Sequence, residues 1–125
     1  MNIFLIEDDS IYAEFIGKAL GQNPAYKINH FSSAESALKA MNGSLPDALI
    51  IDYNLPGISG IDFFETIKSK LKDHHKIIML SAIEDGNMVL SFIQKGVRDY
   101  VIKDENVIES LVAVLEGKDD DYFFN

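Results

Sequence analysis

The segment PDALIIDYNLPGISG, residues 46–60, decides how the rest of the chain is interpreted. Four consecutive apolar residues, 48–51, lead directly to Asp52, and turn-forming proline and glycine residues follow soon after. An apolar run without alternation is typical of a parallel strand that is covered on both faces. Ligands of open α/β sheets bind beyond the carboxyl ends of such strands. The segment therefore predicts a buried strand that presents Asp52 at a functional edge, unless Asp52 only opens an Asx-turn.

Length and composition limit the classes of function. The chain has 125 residues, of which 47% are hydrophobic and 25% charged, as expected for one folded domain with one core. It has no membrane-spanning stretch and no signal peptide, so a cytoplasmic location is expected. The absence of cysteine excludes disulfides and thiolate chemistry. A net charge of −9 disfavours nucleic-acid binding by this domain and favours proteins or cations as partners.

Apolar runs alternate with segments of helical periodicity along the whole chain. Strands are predicted at residues 2–6, 26–30, 48–51, 77–80 and 97–102, and helices at residues 10–20, 32–43, 59–71, 88–93 and around 108–115. This alternation indicates an α/β fold in which a doubly wound, five-stranded parallel sheet carries five helices on its two faces. The second strand is the least apolar and is expected at a sheet edge.

Periodicity also predicts which helix faces are buried. In the first helix, Ser10 is the expected N-cap, and the expected apolar face consists of Tyr12, Phe15, Ile16 and Ala19. In the last helix, the expected core stripe consists of Ile108, Leu111, Val112 and Leu115.

Chemically active side chains follow four of the five predicted strands. They are Glu7, Asp8 and Asp9 after the first strand, Asp52 after the third, Ser81 after the fourth and Lys103 after the fifth. Parallel strands share a direction, so these groups should meet at one edge of the sheet. With the strand order 2-1-3-4-5, the first and third strands are neighbours, which places the acidic triplet beside Asp52. Each group alone has an ordinary structural explanation, but their coincidence at successive strand ends favours a site.

The expected cluster suits phosphoryl chemistry. Neighbouring carboxylates repel each other unless a cation neutralises them or they share a proton. Oxygen ligands without histidine or cysteine favour Mg²⁺ or Mn²⁺. Asp52 is the candidate nucleophile because an aspartate can form an acyl phosphate. Lys103 and Ser81 would then share the charge of the transferred group.

Taken together, these residues resemble the receiver domain of two-component response regulators, over essentially the whole chain. The pattern D-x-x-x-P-x-x-x-G from Asp52 to Gly60 also fits that family. The resemblance implies a flavodoxin-like receiver domain at residues 1–118, with a short acidic and aromatic tail at residues 119–125. It further implies a signalling domain that is not an enzyme, although it assists its own phosphorylation and dephosphorylation.

The resemblance also implies a metal-binding role for individual residues. Glu7 and Asp8 would be the acidic pair after the first strand, and Asp52 would be the phosphoacceptor. Asp8 and Asp52 would bind Mg²⁺ directly, together with the backbone carbonyl of Asn54, and Glu7 would act through water. Asp9 is an additional acid, expected either near the waters of the metal or at the N-terminus of the first helix.

Three further residues match the family, and one does not. Ser81 matches its Ser/Thr after the fourth strand, Lys103 its phosphate-binding lysine, and Tyr100 its aromatic switch residue, which is coupled to Ser81. The family's lysine is usually followed by a proline in a cis peptide, whereas Asp104 follows Lys103. A non-proline cis bond costs about 3 kcal/mol. Trans and strained cis geometries both remain open, and with them the direction of the lysine side chain.

The resemblance implies a sensor histidine kinase or a phosphotransfer protein as phosphodonor. It also implies an output surface on the fourth helix, fifth strand and fifth helix, for a downstream protein, an output domain or a second receiver. Val107 and Val114 recur beside the core stripe of the last helix and are candidates for this surface. The alternative is that both valines only widen the buried stripe.

Two other functions fit parts of the pattern. A pseudo-receiver would keep the fold as an interaction module without being phosphorylated, and only the missing proline supports it. A phosphatase of the haloacid dehalogenase type would need a D-x-D motif after the first strand, which the sequence lacks. His74 and His75 are expected to be solvated, and no partner is apparent for His30.

Overall fold

The structure is a computed structural model that describes residues 1–82 and 85–117; the predicted tail at 119–125 lies outside these residues. Within them, strands and helices alternate as the sequence predicts. The elements are β1 (Asn2–Ile6), α1 (Ser10–Leu20), β2 (Lys27–Phe31), α2 (Ala34–Met41), β3 (Ala48–Asp52), α3 (Gly60–Ile67), β4 (Lys76–Ser81), α4 (Gly86–Lys95), β5 (Asp99–Ile102) and α5 (Val107–Leu115). One turn of 3-10 helix, Lys68–Lys70, extends α3. None of the described helices is long and apolar enough to cross a bilayer.

The five strands form one parallel sheet in the order β2-β1-β3-β4-β5. The predicted fold class and strand order are therefore confirmed, and β2 lies at an edge as expected. The register pairs Ile6 with Ile51 and Asp52 with Leu80. The carboxyl ends of β1, β3 and β4 are thus level, which brings the residues that follow them to one edge of the sheet.

Two apolar layers cover the sheet, one on each face. Along β3, Leu49 and Ile51 belong to one layer, whereas Ala48 and Ile50 belong to the other. All five residues of β3 are buried. This double burial is the reason why β3 reads as an unbroken apolar run, and it confirms the predicted buried strand.

The orientation of α1 differs from the prediction. Its N-cap is Asp9 rather than Ser10, and the Asp9 carboxylate accepts hydrogen bonds from the backbone N–H groups of Ile11 and Tyr12 at 3.0 and 3.2 Å. The buried residues of α1 are Ala13, Ile16 and Leu20. Phe15 was expected in the core, but 51% of its surface is exposed. Apolar residues lie on more than one face of this helix, so their spacing does not define which face packs on the sheet.

The two valines proposed for the output surface are buried. Val107 and Val114 are 2% and 6% exposed, in the layer that also contains Leu111 and Leu115. The prediction that they form an external contact is wrong, and the alternative of a wider buried stripe holds. The buried stripe of α5 is centred on Val107, Leu111 and Val114, whereas Ile108 and Val112 of the predicted core stripe are only partly buried.

Candidate functional site

Three carboxylates meet beyond the ends of β1 and β3. Glu7, Asp8 and Asp52 each offer an oxygen, and these oxygens all lie within 4.8 Å of one another. Glu7 is fully buried and Asp52 is 4% exposed, whereas Asp8 is open to solvent. The structure therefore brings the acidic pair of the first strand beside Asp52, as the strand order predicts. Asp9 is occupied as the N-cap of α1.

Lys103 completes the charge cluster from β5. Its Nζ lies 2.6 Å from Oε1 of Glu7 and 3.4 Å from Oδ2 of Asp52, and its side chain is 17% exposed. The backbone N–H of Lys103 donates to the carbonyl of Ser81 at 2.9 Å, which ties its strand end to that of β4. The described residues contain no cis peptide bond, so the Lys103–Asp104 bond is trans. A trans bond thus suffices to direct the ammonium into the site.

The carboxylates and Lys103 line a cavity of about 230 Å³. Its other lining residues are Asp9, Tyr53, Asn54, Ser81 and Ala82. Ser81 is buried, at 2% exposure. The backbone N–H of Asn54 donates to Oδ1 of Asp52 at 3.1 Å, which fixes the orientation of that carboxylate.

Gly60 is required by the close approach of α3 to the Asp52 loop. A Cβ at Gly60 would collide with the carbonyl oxygen of Asp52 and lie 2.9 Å from the Cα of Tyr53. Tyr53 is also held by its N–H, which donates to the carbonyl of Leu80 at 2.8 Å. The glycine of the D-x-x-x-P-x-x-x-G pattern therefore allows α3 to begin directly against the backbone that carries Asp52.

The charges in the cluster shift the pKa of two members. Burial and a hydrogen bond with Asp52 raise the pKa of Glu7 from 4.5 to about 7, against the opposing effect of Lys103. Burial disfavours the Lys103 ammonium, but its hydrogen bond with Glu7 and the charge of Asp52 outweigh burial and raise its pKa. The site thus holds more negative charge than one lysine compensates, and an additional cation would be stabilised there.

Sequence reasoning missed two residues near the site. Nε2 of His30 lies 2.7 Å from the backbone oxygen of Glu7, and this nitrogen donates because a carbonyl only accepts. The expectation that His30 has no partner was wrong. The ring of Tyr12 lies under Lys103, with 4.6 Å between Nζ and the ring centroid. The parallel pairing of β1 with β2, which sets His30 opposite Leu5, was the available signal for His30.

The candidate switch residue Tyr100 lies in β5, away from the carboxylates. It is half-buried, and its ring centroid is 5.6 Å from that of Phe92 in α4. Tyr100 and Phe92 both line a cavity of about 680 Å³ between α4 and α5. The cavity provides space beside the Tyr100 ring.

Fold and site together define a class of small α/β proteins with an acidic, lysine-containing centre at the edge where the strand order reverses. The family model described as the response regulator receiver domain matches residues 3–116. The chain belongs to this family. The resemblance to receiver domains that the site residues indicate is therefore confirmed, and the domain is a receiver domain of two-component response regulators.

Curated relatives are mostly longer than this chain. It is 30% identical over 102 residues to the transcriptional regulatory protein AfsQ1 of Streptomyces coelicolor, covering 82% of this chain and 44% of that protein. It is 22% identical over 121 residues to the transcriptional regulatory protein DegU of Brevibacillus brevis, covering 94% of this chain and 51% of that protein. The chain thus spans about half the length of these relatives.

Solved structures share the fold over nearly the whole chain. The signal receiver domain of NarL from Mycobacterium tuberculosis superimposes with a TM-score of 0.79 at 22% identity, over 94% of this chain and 95% of that one. The chemotaxis protein CheY4 of Vibrio cholerae gives a TM-score of 0.79 at 20% identity, over 93% and 96% of the two chains. At these identities the likeness establishes the fold.

Proposed function

We propose that Asp52 accepts a phosphoryl group from a phosphohistidine of a sensor histidine kinase or a phosphotransfer protein, in the cytoplasm. We take residues 1–118 as the receiver domain and residues 119–125 as its tail. The observation that carries the proposal is the Asp52 carboxylate, oriented by Asn54 and 3.4 Å from the Lys103 ammonium at an open cavity. Labelling by a small phosphodonor, with Asp52→Asn as the negative control, tests it.

The donor set fits Mg²⁺, with Mn²⁺ as a substitute. The clustered oxygens come from carboxylates, which hard divalent cations prefer. Asp8 and Asp52 would hold the ion directly, with the backbone carbonyl of Asn54 as a further ligand and Glu7 acting through water. When bound, the ion supplies positive charge against the carboxylates and the phosphoryl oxygens. The raised pKa of Glu7 supports this assignment, because it reflects negative charge and burial that a cation would relieve.

The chain's own residues divide the transfer step between them. A carboxylate oxygen of Asp52 attacks phosphorus, the new O–P bond forms as the P–N bond of the phosphohistidine breaks, and the imidazole leaves. The Lys103 ammonium can pair with the phosphoryl oxygens, since it already lies beside Asp52. The Ser81 hydroxyl, buried in the same cavity, can donate a hydrogen bond to one of them.

Phosphorylation would change a protein-interaction surface through Ser81 and Tyr100. Movement of the Ser81 hydroxyl toward the phosphoryl group would leave space for the Tyr100 ring, next to the cavity between α4 and α5. Leu90 and Ile93 on α4 are 53% and 59% exposed and support this region as the contact surface. The partner would be a downstream protein, an output domain or a second receiver, bound through a shift of an existing equilibrium.

The competing functions have less support. The pseudo-receiver depended on the missing proline, but Lys103 reaches Glu7 and Asp52 through a trans peptide bond. The dehalogenase-type phosphatase still lacks its D-x-D motif after β1. We therefore retain phosphoryl acceptance as the function and infer that the domain assists the reaction without being an enzyme.

A further inference from the structure

The aromatic ring of Tyr12 lies beside Lys103, outside the lining of the cavity that would receive the phosphoryl group. The Lys103 Nζ lies 4.6 Å from the centroid of the Tyr12 ring, while the same ammonium pairs with Glu7 at 2.6 Å. A cation within about 6 Å of an aromatic face is attracted to the negative charge density of the ring. The Lys103 ammonium is therefore bound by carboxylates and, in addition, by an aromatic surface from α1.

The segment after Lys103 gives its side chain little support. Asp104 and Glu105 are exposed, and the Asp104 carboxylate accepts a hydrogen bond from the N–H of Asn106 at 2.9 Å. A lysine side chain also loses much rotamer freedom when its ammonium is held in one place. Groups on other elements must therefore hold it. Glu7 and Asp52 attract the charge, and the half-buried ring of Tyr12 forms an apolar and polarisable wall beside it.

Tyr12 contacts Lys103 through its ring and not through its hydroxyl. In the part of the chain that the structure describes, this hydroxyl is the one buried side-chain polar atom without a hydrogen-bond partner in the protein. An unpaired buried hydroxyl costs free energy. Burial also raises the pKa of the phenol, so the group stays neutral. The contacts of the ring, including the one with Lys103, must offset this cost.

We propose that Tyr12 is a positioning residue whose ring holds the Lys103 ammonium within reach of Asp52. This inference rests on the proposed function, because it assigns Tyr12 a role in phosphoryl transfer through Lys103. In this chain the lysine is followed by Asp104 instead of proline, and the aromatic contact supplies a restraint from outside the β5–α5 loop. Tyr12 is not among the residues that line the cavity that would receive the phosphoryl group, so its ring would act through the lysine.

Three variants separate the ring from the hydroxyl and from general effects on α1. Tyr12→Leu removes the aromatic face, Tyr12→Phe keeps it and removes the unpaired hydroxyl, and Ile11→Ala changes an apolar side chain of α1 that is 80% exposed. Thermal unfolding first establishes that each variant is folded at the assay temperature. The first readout is the NMR shift of the Lys103 ε-methylene protons, assigned by their loss in Lys103→Met. The second is the rate of phosphorylation by acetyl phosphate with Mg²⁺.

We expect the Tyr12 ring to shift the Lys103 signals upfield in the unmodified protein, and Tyr12→Leu to return them to the position of exposed lysines. Tyr12→Leu should also slow phosphorylation about 3- to 10-fold, as expected for loss of a cation–π contact. Tyr12→Phe should restore both readouts, and Ile11→Ala should resemble the unmodified protein. In a Lys103→Met background, Tyr12→Leu should have no further effect on the rate.

Two results would overturn the inference: unshifted Lys103 signals in the unmodified protein, or a Tyr12→Leu variant phosphorylated as fast as the unmodified protein. Failure of the proposed function looks different. In that case the unmodified protein would take up no phosphoryl group at all, and the Lys103 signals would still decide whether the ring holds the ammonium.

Discussion

Lys103 Nζ lies closer to Oε1 of Glu7, at 2.6 Å, than to Oδ2 of Asp52, at 3.4 Å. The lysine therefore pairs primarily with the buried glutamate rather than with the proposed phosphoacceptor. Phosphorylation would add a charge of about −2 on the Asp52 side. The ammonium can then move a short distance toward the phosphoryl group. While Asp52 is unmodified, the pairing with Glu7 holds the ammonium near Asp52.

The buried Glu7 predicts a pH dependence of stability in the metal-free protein. Its pKa is raised from 4.5 to about 7, mainly by burial and by the hydrogen bond with Asp52. Between these values the folded protein keeps a proton that the unfolded chain has released, so its free energy of unfolding falls as pH rises and levels off above about pH 7. The shift corresponds to a loss on the order of 3 kcal/mol.

Urea unfolding in EDTA between about pH 5 and pH 8 measures this effect. Glu7→Gln removes the titrating group and should flatten the decline. Glu65→Gln changes an exposed glutamate of α3 and should leave the decline unchanged. Parallel curves for the unmodified protein and Glu7→Gln would show that Glu7 is ionised normally in the folded state.

Magnesium should stabilise the fold through Asp8 and Asp52. An ion that binds only the folded state raises the thermal midpoint, and the increase grows with its concentration. Asp8→Asn is expected to abolish most of this increase. Asp73→Asn is the control, because it removes the same charge from an exposed loop residue that precedes β4. Differential scanning fluorimetry with and without Mg²⁺ gives the comparison, and an undiminished increase in Asp8→Asn would place the metal elsewhere.

Gly60→Ala should destabilise the domain. The new Cβ would meet backbone atoms of Asp52 and Tyr53, which cannot move aside as a flexible side chain would. Overpacking of this kind costs about 1–3 kcal/mol. Gly17→Ala provides the control, since nothing lies within 4 Å of its Cβ position in α1, and it should stabilise the protein by about 0.5–1 kcal/mol. Similar stabilities of the two variants in urea unfolding would contradict the close approach of α3.

The proposed output surface should respond to a phosphoryl mimic at Asp52. Beryllofluoride, which mimics an acyl phosphate, is expected to shift the amide signals of Tyr100 and of α4, in addition to those of the loops around Asp52. Ser81→Ala removes the hydroxyl that would couple the two regions and should reduce the shifts at Tyr100. Changes restricted to the loops around Asp52 would exclude this output surface.

Residues fixed by strand direction and order could be predicted from the sequence. Asp52 and Lys103 were placed together because parallel strands deliver their last residues to one edge, and the structure has that arrangement. The orientation of Lys103 was open, because the sequence does not give the state of its following peptide bond. The trans bond and the contacts of its ammonium provide that answer.

The burial of helix residues could not be predicted where it depends on how the helix is rotated about its axis against the sheet. Phe15 and Tyr12 have the spacing of core residues. Phe15 is nevertheless half-exposed, and the ring of Tyr12 lies beside Lys103, which is distant in the sequence. Val107 and Val114 are buried because the face of α5 that packs on the sheet is centred on them and on Leu111. The spacing of apolar residues indicates which residues share a face of a helix, but not whether that face packs on the sheet.

Phosphorylation of Asp52 is the most direct test of the proposed function. The purified domain is incubated with acetyl phosphate and Mg²⁺, and intact-protein mass spectrometry records the addition of a phosphoryl group before and after hydroxylamine, which cleaves acyl phosphates. We expect one hydroxylamine-sensitive addition in the unmodified protein and in Asp73→Asn, an exposed loop variant, and none in Asp52→Asn. A phosphoryl addition to Asp52→Asn equal to that of the unmodified protein would contradict the assignment.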